Sequence, residues 1–120
     1  MKAIKLSALL LISILSIQFS YAQSPVKKQN IKVNGNCSQC KKKIEKSALA
    51  AGATNANWNV KTKILNVSYD PSITNPMNIE TAIAAKGYDT QDVKASDSAY
   101  NKLDECCQYD RKKLPKSKKK

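Results

Sequence analysis

The chain is 120 residues long, carries 21 Lys and Arg against 9 Asp and Glu for a formal charge of +12, and contains no histidine. That length allows one small domain with a modest core and excludes two. The missing imidazole excludes histidine-assisted nucleophilic catalysis and any zinc site that uses histidine.

Lys2 and Lys5 precede an apolar run at 6–19, and Ser20-Tyr21-Ala22 offers the small-x-small pattern of a signal-peptidase site. Residues 1–22 are therefore read as a secretory signal peptide, which predicts a periplasmic or secreted mature protein. The run is short for a bilayer span and is interrupted by Ser7, Ser13, Ser16 and Gln18. Residues 23–29 read as a linker. The segment QNIKVNGN then predicts a short strand, with Ile31 and Val33 alternating, that runs into a turn at Asn34-Gly35-Asn36.

From Ser38 the residues Ile44, Ala48 and Ala51 recur at helical spacing until Gly52 stops the run. Ala56, Trp58 and Val60, then Leu65, Val67 and Tyr69, alternate with polar residues on either side of Lys61-Thr62-Lys63. They predict a hairpin with one buried face. Asp70-Pro71 ends it. Asn75-Pro76 supplies an N-cap and a proline at the first helical position, Ile79, Ala82 and Ile83 form the buried stripe of a second helix, and Gly87 is its C-cap. Residues 88–95 read as a final strand through Val93. The order is β-α-β-β-α-β, an α+β ferredoxin-like sandwich with a four-stranded antiparallel sheet and two helices on one face. Residues 30–95 form this domain, and residues 96–120 are a C-terminal extension that ends in a basic tail. Seven of the ten residues at 111–120 are Lys or Arg. Such a tail has no reason to fold by itself; its functional reading is attraction to an anionic membrane surface or an acidic partner.

The four cysteines come as two pairs, Cys37 with Cys40 and the adjacent Cys106 and Cys107. Cys37 falls in the first loop and Cys40 in the first turn of the first helix, so the two side chains share a side. The unpaired N–H groups and positive end of that helix favour thiolates, and Lys41, Lys42 and Lys43 add to the field. Both sulfurs are expected to be accessible and to ionise more readily than a free cysteine, near 8.5. Two thiolates suit a soft ion such as Cu(I) or Hg(II), whereas Zn(II) wants four ligands and would need the second cysteine pair or another protein. A thiol-disulfide oxidoreductase carries the same Cys-x-x-Cys, but only one short strand precedes Cys37 here. A structural disulfide across three residues would constrain the unfolded chain little. Nucleic-acid binding is disfavoured because the few aromatics, Trp58 and Tyr69, lie on the face that the core claims.

The Cys-x-x-Cys on the first loop of a β-α-β-β-α-β domain resembles the heavy-metal-associated domain of copper chaperones, copper-ATPase amino-terminal modules and periplasmic mercury-binding proteins, over residues 30–95. The resemblance implies a non-enzymatic protein in which Cys37 and Cys40 bind one soft ion and pass it by ligand exchange to a metal-transporting ATPase or other metal-binding protein, as a monomer or a metal-bridged dimer. Cu(I) is the favoured ion, with Hg(II) or Zn(II) as alternatives. Tyr88 in AAKGYD matches the loop tyrosine beside the metal in bacterial copper chaperones, or else is an aromatic at the start of a strand. The family loop reads Gly-Met-x-Cys-x-x-Cys, so Gly35 replaces a methionine that packs beneath the loop, and a more mobile loop is expected. The extension YNKLDECCQYDR lies outside the minimal domain, as in exported relatives from Bacteroidetes-like bacteria. Cys106 and Cys107 supply further ligands, pair with each other, or stay reduced in a flexible segment.

Overall fold

The structure, a computed structural model, describes residues 25–111; the signal-peptide reading at 1–22 and the basic tail beyond Arg111 lie outside the described residues. Three strands, β1 (Lys27–Lys32), β2 (Asn55–Trp58) and β3 (Ile64–Tyr69), form an antiparallel sheet in the order β1-β3-β2. Helix α1 (Ser38–Ala50) packs on β2, and α2 (Pro76–Ala85) packs on α1 and β1. A short helix α3 (Asp97–Asn101) and a 3-10 turn at Glu105–Cys107 follow. Strand β1 begins inside the segment read as a linker, with Lys27 opposite Tyr69 and Ile31 opposite Leu65. Among the described residues no helix is long and apolar enough to cross a membrane.

Both glycine stops work as expected. After α1, Gly52 takes φ 106°, and its N–H and that of Ala53 donate to the Leu49 and Ala48 carbonyls, each at 3.1 Å. After α2, Gly87 takes φ 104° and donates to Ala84 at 2.9 Å, while Tyr88 donates to Ile83 at 3.4 Å. These are paired Schellman closures, which turn the chain back over the last helical turn. The second one drives Tyr88 into the core, where it is fully buried. The Asn75 side chain caps α2 by accepting from the Asn78 N–H at 2.8 Å.

The hairpin register sets Trp58 opposite Leu65 and Ala56 opposite Val67, with Trp58, Leu65, Val67 and Tyr69 all buried. Val60 does not join that face. It is 40% exposed in the turn, because Asn59 captures the backbone N–H groups of Lys61 and Thr62 at 2.8 and 3.0 Å and ends β2 early.

The expected fourth strand does not form. Residues 88–95 contribute one isolated bridge, Val33 to Thr90, beside β1. Side chains here take the backbone groups that a ladder would use. Thr90 and Val93 bond each other, backbone N–H to carbonyl at 2.8 Å and backbone N–H to hydroxyl at 3.0 Å, so the chain folds on itself. The Asp89 carboxylate accepts from the Ala95 N–H at 2.8 Å, and the Gln91 side chain stands in for a strand carbonyl by accepting from the Lys32 N–H at 3.0 Å. The α+β class and the element order through α2 hold, and the sheet has three strands.

The larger departure lies beyond residue 95. Leu103, Cys107 and Tyr109 are buried in the same core cluster as Ile31, Ile44, Ile79 and Tyr88. Residues 96–111 thus form a strap laid over the domain, and the described part of the extension is not a flexible segment.

Candidate metal centre

Cys37 occupies the N-cap of α1 in extended conformation, φ −149° and ψ 173°, with no side-chain capping bond, and Cys40 stands one turn in. Their sulfurs are 3.2 Å apart, and all four cysteines are free thiols. The strap brings Cys107 to them, its sulfur 3.7 Å from that of Cys37. The three sulfur atoms lie within 4.8 Å of one another, the one such cluster of ligating groups among the described residues. Cys106 turns outward. It is exposed, its thiol donates to the Gln39 side-chain carbonyl at 3.1 Å, and its sulfur stands 3.8 Å from that of Cys107.

The expectation of two accessible, acidified thiols holds for one of them. Burial opposes charge on Cys37, but the backbone N–H groups of Cys40 and Gln39 face its sulfur, and the Cys40 and Cys107 sulfurs stand 3.2 and 3.7 Å from it. Its pKa falls from 9.0 to about 7. Cys40 is fully buried, and that burial, with the neighbouring Cys37 sulfur, lifts its pKa to about 11, although the Asn36 backbone faces its sulfur and pulls the other way. Its thiol donates to the Asn36 side chain at 3.3 Å. Burial raises Cys107 as well. The lysines do less than the sequence suggests: Lys41 reaches away from the sulfurs to Glu45, Asn57 and the Trp58 carbonyl at 2.8 to 3.0 Å, and Lys43 pairs with Asp104 at 3.4 Å.

Tyr88 belongs to the core cluster and stands beside the Cys40 and Cys107 sulfurs. Its ring is fully buried, and its hydroxyl has no hydrogen-bond partner among the described residues. Burial, then the charge of Cys40 and Cys107 beside it, pushes its pKa far up.

Beneath the loop, Trp58 takes the place of the absent methionine. A Cβ built on Gly35 would lie 3.0 and 3.1 Å from two atoms of the Trp58 ring and 3.3 Å from the Cys40 Cβ, so glycine is what lets the indole in. The Trp58 Nε1–H donates to the Val33 carbonyl at 3.0 Å, and Lys63 donates to the Gly35 carbonyl at 2.6 Å. The cysteine loop is thus supported from below, against the expectation of a looser one.

Sequence reasoning missed the residues that fasten the strap. The Tyr109 hydroxyl donates to the Gly87 carbonyl at 2.7 Å and accepts from the Asp89 N–H at 2.8 Å. Arg111 bonds both Asp89 oxygens at 2.8 and 3.0 Å, Asp97 at 2.7 Å and the Ala95 carbonyl at 2.6 Å. Arg111 had looked like the first residue of the basic tail. The signal available was Tyr109 two residues before the chain's single arginine, after a cysteine pair, with no pattern to say what they would bind.

Residues 31–89 match the heavy-metal-associated domain family. A zinc-transporting ATPase of Synechocystis sp. is 40% identical over 75 residues, which make up 61% of this chain and 10% of that one, so the chain spans about a tenth of that relative's length. The solved structure of the CopZ metallochaperone is 29% identical with a TM-score of 0.51, over 53% of this chain and 98% of that one. The water-soluble region of the P-type ATPase CopA from Bacillus subtilis is 35% identical with a TM-score of 0.53, over 57% of this chain and 47% of that one. The strap that carries Cys107 and Arg111 lies beyond residues 31–89, the part matched to the family. Sheet, helices and the Cys-x-x-Cys at the first helix agree with these matches, and the chain carries a heavy-metal-associated domain homologous to those of copper chaperones and metal-transporting ATPases.

Proposed function

We propose that this protein is an exported soft-metal-ion binder, a metallochaperone or scavenger without catalytic turnover, whose cargo is Cu(I) and whose ligands are Cys37 and Cys40. The carrying observation is the pair of free sulfurs 3.2 Å apart at the start of α1, in a domain of the heavy-metal-associated family. Soft sulfur favours a soft ion, and a low coordination number favours Cu(I) over Zn(II), which takes four ligands. Cys106 is exposed, bonds Gln39 and stands outside the group of three sulfurs that lie within 4.8 Å of one another, so the sequence expectation of a complete four-cysteine zinc site loses support. The names of the relatives, a CopZ metallochaperone and a CopA ATPase on one side and a zinc-transporting ATPase on the other, support metal transfer to or from such a transporter and keep Zn(II) as the alternative cargo. Hg(II) shares the softness of Cu(I) and is the other alternative.

The ordinary transfer step is ligand exchange. A partner thiolate attacks the bound ion, one of this chain's sulfurs leaves, and neither side is oxidised or reduced. The half-exposed Cys37 is where a partner can reach the ion, because Cys40 and Cys107 are fully buried. Export places this exchange in the periplasm or outside the cell, with the basic tail at an anionic membrane surface. The test is anaerobic Cu(I) titration of the reduced protein and of its Cys37→Ser/Cys40→Ser variant. One tightly held equivalent should be taken up by the former and lost in the latter; equal uptake defeats the reading. Sustained turnover in an insulin-reduction assay would instead favour thiol-disulfide exchange.

A further inference from the structure

We propose that Cys107 is a third metal ligand, carried to the helix-start pair by the C-terminal strap, so that the ion is held by three sulfurs from two separate parts of the chain. This rests on the reading that Cys37 and Cys40 bind a soft ion.

The spacing fits. Three sulfurs each about 2.3 Å from a central ion in their plane stand about 4 Å from one another. Here the Cys37 and Cys107 sulfurs are 3.7 Å apart, and all three fall within 4.8 Å. A small opening of the 3.2 Å gap between Cys37 and Cys40 admits the ion.

The position of Cys107 is built rather than incidental. On its C-terminal side Tyr109 is pinned to Gly87 and Asp89, its ring 5.1 Å from that of Tyr100, and the Tyr100 hydroxyl donates to its carbonyl at 2.6 Å. Arg111 locks the end of the strap to Asp89 and Asp97, and the Asn34 side chain, in the loop that leads to Cys37, donates to the Asp110 carbonyl at 3.1 Å. On its N-terminal side Leu103 is buried in the core. These contacts hold the strap on both sides of Cys107.

A second observation points to the same centre. The Tyr88 hydroxyl is buried beside Cys40 and Cys107 with no hydrogen-bond partner among the described residues. A buried hydroxyl left unmet destabilises the fold. A metal-bound thiolate at Cys107 or Cys40 is an acceptor for it, whereas a neutral thiol is a poor one. Binding breaks the Cys107 S–H bond, forms the sulfur–metal bond and releases the proton to solvent.

The third ligand changes what the site does. A partner that takes the ion must displace Cys107 as well as the pair, so this chain retains its cargo more firmly than the pair by itself would. Cys106, one residue away and turned to Gln39, takes no part.

The test uses the full mature chain, reduced and loaded anaerobically with one equivalent of Cu(I). X-ray absorption should count three sulfur neighbours in the native protein and in Cys106→Ser, and two in Cys107→Ser. Competition with a chromophoric Cu(I) chelator should show Cu(I) held at least tenfold more weakly by Cys107→Ser, with Cys106→Ser unchanged. Should Cys107→Ser fail to fold, the native protein still decides, because its own sulfur count with Cu(I) bound separates three ligands from two. Two sulfurs in the native protein, or equal affinity in a folded Cys107→Ser, overturns the third ligand and leaves the pair standing. Undiminished uptake by Cys37→Ser/Cys40→Ser would instead overturn the underlying reading.

Discussion

Glu80 lies on α2, only 1% exposed, its Oε1 accepting from the Asp92 N–H at 3.3 Å. Burial first, then repulsion from the Asp92 carboxylate, raises its pKa from 4.5 to about 7. The unfolded chain gives up this proton near 4.5 and the folded chain near 7. Between those values the unfolded state binds fewer protons, so Glu80 makes the fold less stable as pH rises through the window. At about 1.4 kcal/mol per unit, the full loss on the alkaline side is roughly 3 kcal/mol. Glu80→Gln keeps an oxygen for the Asp92 N–H and removes the ionisation. Urea unfolding with reductant present, at intervals from pH 4 to pH 8, should show the two proteins within about 1 kcal/mol of each other at pH 4. By pH 8 the Gln variant should be ahead by roughly 3 kcal/mol. The thiols titrate in both proteins and drop out of the difference. A difference that stays flat across the range, or that favours the native protein at pH 8, would refute the assignment of a buried, reluctant carboxyl.

The metal-free, reduced protein should react with iodoacetamide at Cys37 with a midpoint near pH 7, while Cys40, raised to about 11, stays unmodified through pH 9; peptide mapping by mass spectrometry reads both. The depressed Cys37 value also means that its thiolate supports the fold at alkaline pH and that this support fades as pH falls through about 7. Gly35→Met, which restores the family side chain, should lower stability by about 1–3 kcal/mol because the Trp58 ring already fills the space. In a Trp58→Phe background the same change should cost less, and a double-mutant cycle with no coupling would mean the two do not compete. Arg111→Met leaves the Asp89 carboxylate, 6% exposed, without its cation, and should cost about 3–5 kcal/mol in chemical denaturation. It should also expose Cys107 to maleimide in the metal-free protein, where it is buried now.

Most of the domain was legible because its signals are local. Asn75-Pro76 announced a helix start, Gly52 and Gly87 announced helix ends, and the alternation around Trp58 and Leu65 announced a hairpin. Each of these depends on residues within a few positions of one another. Residues 88–95 defeated the reading for the same reason in reverse: Asp89, Thr90 and Gln91 spend their side chains on nearby backbone, and alternation says nothing of that competition. Val60 was lost to the Asn59 side chain in the same way. Glu80, a charged residue on α2, is buried where the Asp92 backbone folds back to bond it.

The metal centre divides along the same line. The spacing of Cys37 and Cys40 is local, and it led directly to the site. The sulfur of Cys107 is 70 residues from Cys37 in the chain, and nothing in the adjacent pair Cys106 and Cys107 tells which one turns inward. What decides is the 3-10 turn at Glu105–Cys107, which sends one side chain to the core and the next to solvent, and the anchoring of Tyr109 and Arg111 just after it. Closing so long a loop for one weak thiol contact would be a poor exchange of chain entropy. It becomes favourable only because the strap carries its own anchors: Leu103 and Tyr109 in the core and Arg111 on two carboxylates. The position of Cys107 is therefore fixed by residues that have no chemistry with a metal, and a disturbance of Asp89 should reach the centre as surely as a change to a sulfur. Asp89→Asn tests that route without touching a ligand: it keeps an acceptor for the Ala95 N–H and removes the charge that Arg111 holds. Losing the charge-assisted part of that pair should cost about 1.5–3 kcal/mol. In the metal-free protein it should raise the reactivity of Cys107 toward maleimide while Cys40 stays protected. If both thiols became reactive together, the strap and the metal loop would open as one unit, and the strap would have no separate anchoring.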